Sequence, residues 1–159
     1  MSENTAAVLE SKIQEYLGGE LKETALKFVD YLYNNQLTAL LDTYEKNAVK
    51  VPYNGKNLCK IWFHPNEIHF HFWFGDYSGV FDENFTTAVQ ERVGFCDVCH
   101  EGCTGPFDVS IFGKELKNVC SQHPIAFTNP DDNILEHIKT LVEYSKKVVS
   151  DSVSVHANA

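Results

Sequence analysis

Four of the five cysteines, Cys96, Cys99, Cys103 and Cys120, are spaced C-x-x-C-x-x-x-C with one more cysteine further on. Two cysteines three positions apart turn both sulfurs toward one point through a tight knuckle, and a distant cysteine closes a tetrahedron. Zinc asks for that geometry, with thiolates at about 2.3 Å. The surrounding residues, His-Glu-Gly-Cys-Thr-Gly-Pro at 100–106, suit a knuckle whose amides face the sulfurs. A structural zinc on these four residues is therefore the first reading. His100 or His123 in place of one thiolate is a variant of it. An iron–sulfur cluster also uses four cysteines, but the common ferredoxin run is tighter. Reactive or buried free thiols are the bland alternative. A dithiol enzyme would sit on a thioredoxin-like βαβ pattern, and none precedes Cys96. Cys59 alternates with Ile61 and Phe63 and reads as a small core hydrophobe.

A second constellation lies upstream. In Ile68-His-Phe-His-Phe-Trp-Phe74 the apolar residues Ile68, Phe70, Phe72 and Phe74 fall on one strand face, and His69, His71 and Trp73 on the other. Trp62 likewise opposes Phe63 on the preceding strand. Large aromatics on both faces mean either two covered faces or an aromatic pocket. A pocket with Trp62 and Trp73 as flat walls and His69 and His71 as polar groups would take an aromatic or cationic small molecule. The plain alternative is a solvated sheet face with two ordinary histidines.

The elements that must position these groups follow from periodicity. Residues 5–17 and 20–35 carry apolar stripes at helical spacing, separated by Gly18-Gly19. Residues 37–46 read as a third short helix. Strands are expected at 48–53, 57–63 and 68–74, with Asn54-Gly55 and the stretch 64–67 as turns, giving an antiparallel meander. A helix at 84–93 is capped by Asp82 or Asn84. A hairpin spans 107–112 and 115–120 around Gly113-Lys114, and 124–127 is one more strand. Asn129-Pro130-Asp131-Asp132 opens a last helix lined by Ile134, Ile138, Leu141, Val142 and Ser145. Residues 150–159 have no periodicity and are expected to be a flexible tail. The fold class is thus α+β: residues 1–149 form one domain of helices packed on a curved antiparallel sheet, with the knuckle and hairpin at 96–120 stapled by metal.

Bulk properties set limits. The chain has 159 residues, 43% hydrophobic and 22% charged, which is ordinary for one globular domain. The net charge of −9 repels a phosphate backbone, so nucleic acid is not an expected partner. No apolar run approaches the ~20 residues that span a bilayer. The N-terminal stretch lacks a basic start and an apolar core, so a cytoplasmic location is expected. No serine-nucleophile elbow, phosphate loop, zincin helix or dinucleotide fingerprint is present. Nothing in the sequence specifies an oligomeric state.

Two stretches carry a resemblance. YNGKNLCKIWFHPNEIHFHF (53–72) looks like the Tyr-x-Gly-Lys hairpin of YdhG-like domains, small bacterial α+β domains of unknown function. Residues 96–143, with C-x-x-C, a Phe-Gly-Lys-Glu hairpin, a further cysteine, a Phe-x-Asn-Pro-Asp turn and a closing helix, resemble an uncharacterised cysteine-rich clostridial and Firmicute family. The resemblance implies helices on a curved antiparallel sheet and a bacterial, cytoplasmic setting. It brings no catalytic residue. The reading that follows is a non-enzymatic binding module with a structural zinc. Its rivals are a metal or redox sensor built on the cysteines, and a small enzyme using His69 and His71, or Cys99 as a thiol.

Overall fold

A computed structural model describes residues 6–73, 77–96 and 104–157, with side chains described up to residue 152. Within it the chain is α+β. Helices α1 (Ala7–Tyr16) and α2 (Gly19–Asn34) come first. They are followed by strands β1 (Leu40–Leu41), β2 (Ala48–Tyr53), β3 (Lys56–His64) and β4 (Glu67–Phe72), then helix α3 (Glu83–Gln90). The hairpin β5 (Phe107–Ile111) and β6 (Lys114–Val119), strand β7 (Ile125–Thr128) and helix α4 (Asp132–Ala157) complete the order. Five strands form one antiparallel sheet in the order β1-β2-β3-β4-β7, and β5 and β6 pair separately.

The meander follows from its turns. Asn54 and Gly55 both take positive φ, 49° and 78°, which joins β2 to β3 in two residues. Asn66, at φ 57°, does the same work between β3 and β4. Pairing sets Ile61 opposite Phe70 and Val49, and Phe63 opposite Ile68. Because side chains alternate, these residues share one face with Phe72, and all are fully buried. The N-terminal helices cover that face: Tyr16 of α1 lies against Phe63 at 5.8 Å between ring centres, and Phe28 of α2 meets Phe70 edge-on at 5.1 Å. Leu135, Ile138, Leu141 and Val142 of α4 join the same core.

The starts of α3 and α4 are capped by aspartates, whereas those of α1 and α2 have no side-chain cap. Asp82 accepts from the Phe85 N–H at 2.9 Å, and Asp131 from the Ile134 N–H at 2.8 Å. Each satisfies an orphan donor of the first turn. Asp132 also holds α4 to α2, accepting from Thr24 Oγ1 at 3.1 Å and pairing with Lys27 at 2.7 Å.

Two sequence expectations are corrected. Residues 37–46 form no helix. Leu40 and Leu41 pair with Lys50 and Val49 as an edge strand, and Asp42 turns the chain by accepting from the Tyr44 and Glu45 N–H groups. An aspartate that bonds the backbone two and three residues on competes with helix. At the other end, the backbone is helical through Ala157, where a tail was expected from Ser150. Ser152 Oγ donates to the Val148 carbonyl, so its polar group does not interrupt the helix.

The two sheets are joined by the segment after α3. Val93 bridges to Ile125 of β7, and Phe95 bridges to Val119 of β6. This short extended stretch carries the hairpin and leads into the cysteine region.

Candidate binding face and cysteine group

The sheet face away from α1 and α2 bears the polar and aromatic residues. Opposite His71 stand Lys60 of β3 and Ala126 of β7. Opposite His69 stand Trp62 and Thr128. The short side chain of Ala126 leaves room beside His71, and His123, just ahead of β7, fills it. The two imidazole centres are 4.7 Å apart, and their Nδ1 atoms are 2.9 Å apart, one ring donating and the other accepting. Trp62 meets His71 edge-on at 4.4 Å, and Trp73 stacks on it at 5.8 Å. Trp62, His64, His69, His71 and His123 line an open cavity of about 280 Å³.

Each polar atom has a role in fixing this surface. His69 is held at both nitrogens, Nδ1 by Thr128 Oγ1 at 2.9 Å and Nε2 by Glu67 at 2.5 Å. The Trp73 indole N–H donates to the Gln122 carbonyl. The Trp62 indole N–H donates to Glu45. Lys60 Nζ lies 4.5 Å above the Trp62 ring and 3.1 Å from both Asp42 and Glu45. One face of Trp62 is therefore already covered by the protein's own cation.

The electrostatics favour the neutral form of His71 and His123. Burial, then the neighbouring His123, His69 and Lys60, pushes His71 down to about 3. Burial also lowers His123, against the pull of Glu45 and with help from Lys60. Glu45 is held below its ordinary range by the Trp62 indole and Lys60, which outweigh its partial burial. Burial opposes ionisation of Asp42, but the Tyr44 and Glu45 amides and Lys60 prevail and lower it. At His71 and His123 the face thus presents neutral nitrogen donors and acceptors between flat rings.

Of the four clustered cysteines, Cys96 and Cys120 are described. The Cys96 N–H donates to the Asn118 carbonyl at 2.9 Å, and the Cys120 N–H to the Gly94 carbonyl at 2.8 Å. With Phe95 opposite Val119 between them, the two cysteines sit diagonally on one face of the same ladder. Two of the four expected thiolates thus stand on neighbouring positions of one ladder. Cys99, Cys103 and His100 lie outside the described residues. Among the described residues, no three His, Cys, Asp or Glu side chains gather into a metal-holding group. Cys59 is fully buried in the core, where burial raises its thiol to about 12.

His69, His71, Trp62 and Trp73 are brought to one surface, as their strand positions predict. The sequence reading placed His123 only as a substitute thiolate, and it did not find His64, Lys60 or Glu45. Alternation along β3 does put His64, Trp62 and Lys60 on the histidine face, and that was the available signal for two of them. Nothing local signals His123 or Glu45, which arrive through the β4–β7 pairing and the β1–β2 loop.

No protein-family model, curated protein or solved structure matches the chain. Among the described residues, no helix is long and apolar enough to cross a membrane.

Proposed function

We propose that this protein is a small non-catalytic binding module that takes a flat, uncharged aromatic molecule on its Trp/His face and carries a structural zinc on Cys96, Cys99, Cys103 and Cys120. The observation that supports the binding role is the cavity of about 280 Å³ on the face opposite the N-terminal helices, walled by Trp62 and by imidazoles, of which His71 is held neutral. A ring inserted there would stack on indole and exchange hydrogen bonds with imidazole nitrogen. A cationic ligand, the other class suggested by the aromatics, would compete with Lys60 for Trp62. Neutral aromatics are therefore favoured over cations.

The cysteine group supports the zinc reading by its chemistry and by the shared ladder of Cys96 and Cys120. Bound zinc would tie residues 96–103 to the end of β6. The acidic net charge fits a partner that is not nucleic acid.

The deciding experiment is a fluorescence titration with a panel of neutral heterocycles, purines, indoles and pyridines. Saturable quenching by at least one member, abolished in Trp62→Ala with an unchanged circular dichroism spectrum, is expected. Absence of quenching across the panel, or equal quenching in Trp62→Ala, would overturn the binding role.

A further inference from the structure

The contact between His71 and His123 has a geometry that suits a metal ion as well as a proton. Their Nδ1 atoms are 2.9 Å apart on rings inclined at 74°. Imidazole bonds transition metals at about 2.0–2.1 Å. Two such bonds at a right angle place their nitrogens about 2.9 Å apart, the adjacent-ligand spacing of a square-planar or octahedral centre. A tetrahedral angle would need the rings to separate by a further few tenths of an ångström.

We propose that Nδ1 of His71 and Nδ1 of His123 are adjacent ligands of a borderline divalent transition metal of the nickel(II) or copper(II) class, whose remaining positions open into the cavity. The reading rests on this pair alone and is separate from both the four-cysteine zinc site and the aromatic-ligand role. In the metal-free pair one ring carries its proton on Nδ1. On binding, that proton passes to solvent and the same ring takes one at Nε2, so both rings stay neutral and both Nδ1 lone pairs are free. The charged groups that act on the pair are Glu45, which favours a cation at His123, and Lys60, which opposes one at both rings. His69 is not a third ligand as it stands, because Thr128 and Glu67 occupy its two nitrogens. No group of three donors gathers among the described residues, so water or a cavity ligand would complete the shell.

The test uses the full chain, reduced and pre-loaded with zinc, titrated with nickel(II) chloride while the histidine ring resonances are followed by proton–nitrogen NMR. The imidazole readout separates this site from any nickel on thiolate, which would show instead as a sulfur charge-transfer band. The first equivalent should broaden His71 and His123 together. His123→Ala, in an exposed turn, and His71→Gln should each weaken nickel binding about tenfold or more. His137→Ala, on α4 against Phe85 and outside this cavity, should leave it nearly unchanged. Failure of the first equivalent to broaden both rings, equal affinity in His123→Ala, or an equal loss in His137→Ala would overturn the proposal. None of these outcomes bears on Trp62-dependent quenching by a heterocycle, which reports on the other reading.

Discussion

The carbonyl oxygen of His123 occupies the space in which a side chain on Gly94 would begin: a Cβ there would stand 2.5 Å from it. The close approach is locked by the Gly94 N–H donating to the Pro124 carbonyl at 3.1 Å. Gly94→Ala should therefore push the 120–124 segment off the sheet and cost about 1–3 kcal/mol, as overpacking does. Urea unfolding would measure the loss, and the His71 ring resonance should shift with it. An alanine variant as stable as the parent would mean that the segment yields freely.

Acid should destabilise the fold through His71. Its folded value, about 3, lies below the roughly 6.5 of an unfolded histidine. Between those values the unfolded chain binds the proton and the folded chain does not. The stabilisation is complete above pH ~6.5 and is lost as pH falls toward 3. The lowered carboxyls of Asp42 and Glu45 act in the same direction at the acid end. NMR titration should show His71 still neutral at pH 5, and His71→Gln should flatten the dependence of the urea midpoint between pH 6.5 and 5. A His71 that titrates near 6.5 in the folded protein would contradict the burial argument.

The cysteines should separate into two classes. Native mass spectrometry is expected to show one zinc, released on acidification as thiolates protonate. Cys120→Ser should then cost far more stability than Cys59→Ala, which as a small apolar truncation should cost about 1 kcal/mol. Cys59 should also resist alkylation in the folded chain, because it is fully buried and its thiol is raised to about 12. Equal effects of the two substitutions would remove Cys120 from the ligand set.

Lys60 should act as an internal competitor. Lys60→Met keeps the apolar stem but takes the ammonium from above Trp62 and from between Asp42 and Glu45. Tetramethylammonium should quench tryptophan fluorescence in this variant and not in the parent. Identical quenching in both would show that the cation over Trp62 does not govern access.

Much of this arrangement could be read from local pattern. Strict alternation from Ile68 to Trp73 separated the core phenylalanines from the histidines, and the turn at Asn66 set the register that brings Trp62 opposite His69. Asp82 announced α3 because a cap acts within three residues. The last helix starts later than Asn129 suggests, since Asn129 Oδ1 accepts from the Ile68 N–H and Asp131 caps instead. The missed features depend on distant partners. Leu40 and Leu41 look helical in isolation, and it is pairing with β2 that makes them a strand. His123 lies 52 residues from His71 in sequence, and only the β4–β7 pairing joins them.

The β5–β6 turn is built against local preference. Phe112 adopts φ 48°, a conformation that bulky residues rarely take, followed by Gly113 at 90°. Its ring is gripped by Phe81 at 5.1 Å, Tyr144 at 5.3 Å and Phe85 at 5.7 Å, and its N–H donates to the Tyr77 carbonyl at 2.8 Å. A lone two-stranded hairpin is marginal in water, and this one has an unfavourable turn as well. Its stability is thus borrowed from α3 and α4, which must already be docked to receive the ring. In kinetic terms the hairpin should be a late arrival. Truncating Phe112 should then speed unfolding while leaving the folding rate almost untouched. Cys120, just past the end of β6, would reach its place only after the rest of the chain has chosen its shape.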